Sequence, residues 1–129
     1  MSGKYLLDTG IVIALFANEQ TVVEQIEDAE EIFIPSIVIG ELYYGARKSG
    51  RVRENVARIE LFAEANVVLL CDNETSRWYG VVKDLLRQKG SLIPENDVWI
   101  AALALRQGLV LVTRDSNFEA VTNLKTVSW

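Results

Sequence analysis

Four short apolar runs without polar interruption recur along the chain: Tyr5-Leu6-Leu7, Ile32-Phe33-Ile34, Val67-Val68-Leu69-Leu70 and Leu109-Val110-Leu111-Val112. Runs without polar alternation read as strands covered on both faces, which is the habit of parallel sheets. A fifth, weaker run covers Leu124 to Val127. Helical patterns fill the intervals. Ile11 to Ala17 follows Asp8, and Thr21 to Ala29 opens with Thr21 and Glu24 at capping-box spacing. Ser36 to Lys48 and Arg51 to Ala65 come next, the latter with Val52, Val56, Ile59 and Phe62 at helical period. Glu74 to Lys89 and Asp97 to Gln107 end at Gly90 and Gly108. Strands alternating with helices through short turns predict an α/β fold whose mostly parallel central sheet, of about five strands, is flanked by helices. Its active site is expected at the carboxyl ends of the strands.

With 129 residues, half of them apolar, the chain is the size of one domain with one core, and no linker or repeat divides residues 1–129. The longest apolar run, Val98 to Leu105, is too short to span a bilayer. Asp8 interrupts the apolar N-terminal stretch, so no secretory signal is read there. One cysteine, Cys71, excludes an intramolecular disulfide; it reads as an inert apolar filler in a soluble, cytoplasmic protein. The chain has no histidine, which removes Ser-His and Cys-His nucleophile pairs and an ordinary zinc site. Thirteen basic against 18 acidic residues argue against unassisted nucleic-acid binding, unless several acids gather around a cation.

Four acids stand out. Asp8 ends the first strand, where it either caps the following helix or faces a site. Glu41 has Ile37, Val38, Tyr44 and Gly45 at helical spacing, with no Lys or Arg one turn away. An unpaired carboxylate there is costly to bury. Gly40 beside it suggests a close approach by backbone or ligand. Asp97 opens an apolar helix, where Asn96 could cap and leave it free. Asp115 follows the fourth strand, and Ser116 and Glu119 have capping-box spacing that would leave Asp115 outside the cap. Carboxylates gathered at one sheet edge repel each other unless protonated or neutralised, and an all-oxygen set selects a hard cation such as Mg²⁺ or Mn²⁺.

Leu6-Leu7-Asp8-Thr9, Pro35-Ser36 with Gly40-Glu41-Leu42, Ile93 to Ala102, and Val112-Thr113-Arg114-Asp115-Ser116-Asn117-Phe118 together resemble the PIN domains. Within these, the chain is similar to the VapC-type toxins of toxin–antitoxin operons. The resemblance spans essentially the whole chain. It implies a three-layer PIN-like fold and a metal-dependent endoribonuclease for single-stranded RNA regions, dimeric and held inactive by a cognate antitoxin. It implies Asp8, Glu41, Asp97 and Asp115 as metal-binding and catalytic acids, with Mg²⁺ or Mn²⁺ as cofactor. Thr113, Ser36, Asn96 and Thr9 are the implied supporting residues. One position departs: relatives usually carry Asn where this chain has Gly10.

Arg47, Lys48, Arg51 and Arg53, followed by Arg58, form a basic cluster that reads as a solvated helix face or as an RNA-phosphate site. Glu24, Glu27, Asp28, Glu30 and Glu31 read as solvated surface or a landing place for a basic antitoxin tail. Tyr43, Tyr44, Trp78 and Trp99 read as core or interface. Asp8-Thr9-Gly10 also matches the aspartic-protease triplet, but the strand–helix alternation contradicts that all-β fold. Receiver and haloacid-dehalogenase patterns fail at Gly10 and at Cys71-Asp72. A PIN fold that has lost turnover and binds RNA or protein is the alternative function.

Overall fold

The computed structural model describes residues 3–129. Five strands, β1 (Lys4–Leu7), β2 (Glu31–Pro35), β3 (Val67–Leu69), β4 (Val110–Val112) and β5 (Thr126–Val127), form one sheet in the order β3-β2-β1-β4-β5. All four pairings are parallel, with Leu6 opposite both Phe33 and Leu111. Six helices flank it: α1 (Thr9–Phe16), α2 (Gln20–Asp28), α3 (Ser36–Arg47), α4 (Val52–Ala65), α5 (Asn73–Lys89) and α6 (Glu95–Gln107). This is the α/β architecture that the alternating runs predict. No helix among the described residues is long and apolar enough to cross a membrane.

The core explains the order. Leu6, Leu7, Ile34, Leu111 and Val112 of the central strands are fully enclosed. Against them lies α6, whose Val98 and Ile100 to Ala104 are buried on nearly every side. A helix apolar all round belongs inside, and its three alanines let it sit close to its neighbours. Gly90 (φ +70°) and Gly108 (φ +65°) end α5 and α6 in the left-handed conformation, as their positions predict.

Several local expectations are corrected. The Val67–Leu70 run is not covered on both faces: β3 is an edge strand, Val67 is half exposed, and Leu70 lies outside the strand with 70% exposure. The fifth run shortens to two exposed residues on the opposite edge. The Thr21–Glu24 capping box does not form, because α2 starts one residue earlier behind Glu19, with no side-chain cap. Glu24 instead accepts from the Gln20 side chain at 3.0 Å. Helix α6 starts at Glu95 behind Pro94, so Asn96 is not its cap. A Cβ on Gly40 would meet nothing within 4 Å, so no protein segment approaches closely there. Tyr44 is exposed beside Lys48, not core, whereas Trp99 stacks on Tyr79 at 4.2 Å. Cys71 is half-buried, and burial, with Asp72 nearby, pushes its thiol up, keeping it protonated at neutral pH.

Candidate active site

The sheet changes direction between β1 and β4: β2 and β3 build outward on one side, β5 on the other. At such a switch point the following connections diverge, leaving a crevice beyond the carboxyl ends of the strands. Asp8 and Thr113 are the first residues past β1 and β4. The Asp8 amide donates to the Val112 carbonyl at 3.0 Å, which carries the pairing one step beyond the strands and sets the two side chains together.

Asp8 is only 8% exposed, and both its oxygens are engaged. Oδ1 accepts the Thr9 amide at 2.8 Å, which caps α1, and Oδ2 accepts the Thr113 hydroxyl at 2.7 Å. The two readings of Asp8 therefore coincide: the capping carboxylate also faces the cleft. Thr9 turns its hydroxyl to Glu41 Oε1 at 2.7 Å, tying α1 to the second turn of α3. Asp97, in the first turn of α6, makes no cap and is half-buried. Asp115 is a correction: it is not outside a Ser116 cap but is itself the cap of the short 3₁₀ turn Ser116–Ala120, accepting from the Asn117 amide at 2.9 Å. Asp and Ser cap about equally well, and because the turn starts at Ser116 it is Asp115 that occupies the cap position. The Asp115 amide donates back to Thr113 Oγ1 at 3.0 Å. Thr113 thus links two of the acids.

Asp8, Thr9, Gly10, Glu41, Asp97, Arg114 and Asp115 line one cleft of about 320 Å³. The acids feel each other. Asp97 is pushed up to about 6, first by desolvation and then by the charges of Asp8, Asp115 and Glu41, with the Asn117 side chain offsetting part of the rise. Asp8 is raised by burial and by Glu41 and Asp115, against the opposing hydrogen bonds from Thr113 and Thr9. The cleft is rich in charge that nothing within it balances except Arg114. Yet among the described residues no three Asp, Glu or Cys side chains stand close enough to hold one ion as they are.

The supporting residues divide. Thr9 and Thr113 make the contacts just described. Ser36 opens α3 beyond β2, and Asn96 is exposed in the first turn of α6; neither lines the cleft. Arg47 and Arg53 line a separate groove with Val52, Val56, Ala57 and Glu60. Lys48 lies over the Tyr44 ring, and Arg51 pairs with Glu54 at 3.4 Å in solvent. Arg58 donates to the Phe16 carbonyl and stacks on its ring. The residues from Glu24 to Glu31 singled out as an acidic run are all exposed. Sequence reasoning passed over Arg114 and Asn117 as site residues, although both stand beside Asp115 at the end of β4. That adjacency was the available signal.

The profile of the PIN domain matches residues 5–124. Ribonuclease VapC2 of Haemophilus influenzae is 37% identical over 129 residues, covering 98% of each chain. The tRNA(fMet)-specific endonuclease VapC of Shigella flexneri is 33% identical, again over 98% of both. The DNA-bound VapBC crystal structure from Salmonella typhimurium superimposes with a TM-score of 0.91 at 30% identity, covering 100% of this chain and 99% of that one. With the sheet order, the switch-point acids and these likenesses in agreement, the chain belongs to the PIN-domain family and, within it, to the VapC group.

Proposed function

We propose that this chain is a metal-dependent endoribonuclease that cuts single-stranded regions of RNA, and that it is the toxin of a toxin–antitoxin pair. The observation that carries the reading is the gathering of Asp8, Glu41, Asp97 and Asp115 around one cleft at the switch point. The names of its relatives, ribonuclease and tRNA(fMet)-specific endonuclease, support the reaction class and make tRNA(fMet) the first natural RNA to test. A cognate antitoxin is the partner proposed from the VapBC neighbours. A homodimer and a cytoplasmic location complete the reading.

The donor set fits a hard divalent cation, because every candidate ligand is a carboxylate and their mutual repulsion favours a positive guest. Asp8 and Asp97 would hold it, with Glu41 and Asp115 as the further carboxylates of the shell. Mg²⁺ or Mn²⁺ bound there would supply a more acidic water and neutralise phosphate charge. The remaining work belongs to the chain. Thr113 fixes Asp8 and the start of the Asp115 turn, Thr9 fixes Glu41, and the first turn of α6 aims Asp97 into the cleft. In hydrolysis the water oxygen bonds to phosphorus and the P–O3′ bond breaks. The products are a 5′-phosphate and a 3′-hydroxyl.

The test is cleavage of a fluorescent single-stranded RNA and of tRNA(fMet) with Mg²⁺, Mn²⁺ or EDTA, wild type beside Asp8→Asn. Cleavage that needs metal and vanishes in the variant supports the reading. RNA binding without cleavage under either metal favours the alternative, a PIN fold that grips but does not cut. Gly10 is the observation behind that alternative, and a Cβ there meets nothing within 4 Å. Gly10→Asn therefore meets no clash at its Cβ, and activity gained in that variant would assign the loss to position 10.

A further inference from the structure

Arg114 is the basic side chain on the wall of the acid cleft. It also lines a second cleft, with Thr113, Asp115, Ser116, Thr126 and Ser128 among its walls. Arg114 and Asp115 are thus the ridge between the two. The guanidinium is held in place: Nε donates to the Trp129 carbonyl at 2.8 Å, and Nη2 and Nη1 donate to the two Glu19 oxygens, Oε1 at 3.0 Å and Oε2 at 3.4 Å. Its side chain is nevertheless 40% exposed. A guanidinium carries five N–H donors in a planar fork, so donors remain for a further acceptor.

We infer that Arg114 is a phosphate-binding residue, holding the phosphate next to the scissile one as an RNA strand crosses the ridge from the acid cleft into the second cleft. The inference rests on the ribonuclease reading. Four carboxylates repel a polyanion, so the strand needs a cation that is not itself buried among them, beside the point of entry. With Nε, Nη1 and Nη2 engaged, one N–H on each Nη remains, and each can meet a single phosphate oxygen. Glu19 and Trp129 hold the fork in one orientation, which lowers the ordering cost when the phosphate arrives. The wall of the second cleft offers hydroxyls rather than further carboxylates, Asp115 and Glu119 apart, and hydroxyls can donate to phosphate oxygens.

The experiment is steady-state cleavage of a single-stranded RNA by the full chain over a range of salt, for wild type, Arg114→Ala, Arg114→Gln, Arg114→Lys and, as a control, Arg77→Ala. Arg77 is a solvated partner of Glu74 on α5. Arg114→Ala is expected to raise KM roughly tenfold with kcat little changed, and to flatten the salt dependence by about 0.7 in log–log slope, one single-strand phosphate contact. Arg114→Gln, whose amide can keep the donor to the Trp129 carbonyl and gives up only the exposed Glu19 pair, is expected to do the same with a near-native melting temperature. That keeps the test open if the alanine variant folds poorly. Arg114→Lys should restore the slope but only part of KM. Cleavage with wild-type KM and slope in Arg114→Gln overturns the role of Arg114 alone, leaving it a staple between β4 and the α1–α2 turn. Failure of the wild type to cleave RNA with either metal overturns the ribonuclease reading and this role with it.

Discussion

Two groups of acids divide the molecule. Glu24, Glu27, Asp28, Glu30 and Glu31 are neighbours in sequence and separate into solvent, and the contact made by Glu31 is a surface pair with Lys4 at 3.4 Å. Asp8, Glu41, Asp97 and Asp115 are scattered along the chain and meet at one cleft. The first group looks more concentrated on the page but is screened by water. The second is concentrated in space, where burial makes each charge felt by the next. Density of charge in sequence says little about a site; convergence at a strand end says a great deal.

The strongest way to break that contrast is to neutralise one acid of each group. Asp8→Asn or Asp97→Asn should lower RNA cleavage by at least about a hundredfold, a loss in keeping with removing a transition-state interaction of ~3 kcal/mol. Glu27→Gln should leave the rate unchanged. Equal losses in both groups would erase the distinction.

Thr113→Val sharpens the comparison from the side of hydrogen bonding. It removes the donor to buried Asp8 and the acceptor for the Asp115 amide. An unsatisfied buried group costs about 1–3 kcal/mol, so chemical denaturation should show a loss of that order. An unchanged midpoint would mean that Thr113 supports nothing.

Protonation gives a smaller effect with a definite sign. Asp97 titrates at about 6 in the folded chain against 3.8 in its ordinary state. The folded protein therefore binds a proton more readily than the unfolded one, and stability from this group is full below pH 3.8 and lost as pH rises through about 6. Asp8 is raised in the same sense. Asp72 and Asp84 are lowered by hydrogen bonds from Thr75 and Arg87, so their contributions are lost below the usual carboxylate range, outside this window. In EDTA the melting temperature, followed by circular dichroism, should be higher at pH 5 than at pH 7. Asp97→Asn should reduce that difference, and an unchanged difference would assign it elsewhere.

Much of this was legible in the sequence, for reasons that differ by residue. Leu6, Leu7, Leu111 and Val112 announce central strands because a strand with two covered faces has no room for polar alternation. Val67 to Leu70 looks the same and is not, since an apolar run cannot tell whether its strand has one neighbour or two. Gly90 and Gly108 are read correctly because a left-handed helix end favours glycine. The Thr21–Glu24 box fails by one residue, where the start of α2 is set by the turn from α1 and not by local capping. At the site, Glu41 was visible as a carboxylate without a local partner, whereas Asp8 and Asp97 each had a cap as an equally local explanation, and only the four acids together pointed to a site. The ridge role of Arg114 was not visible, since it depends on where Glu19 and Trp129 come to lie.

If four distant acids act as one cation-binding unit, melting with and without Mg²⁺ should reveal it. Without metal, Asp97→Asn should melt a few degrees above wild type, because one repelling charge is gone; screening of this half-exposed group holds the gain to about 1 kcal/mol. Adding Mg²⁺ should raise the wild type by several degrees and the variant by clearly less. Equal Mg²⁺ shifts in the two proteins would contradict a shared site.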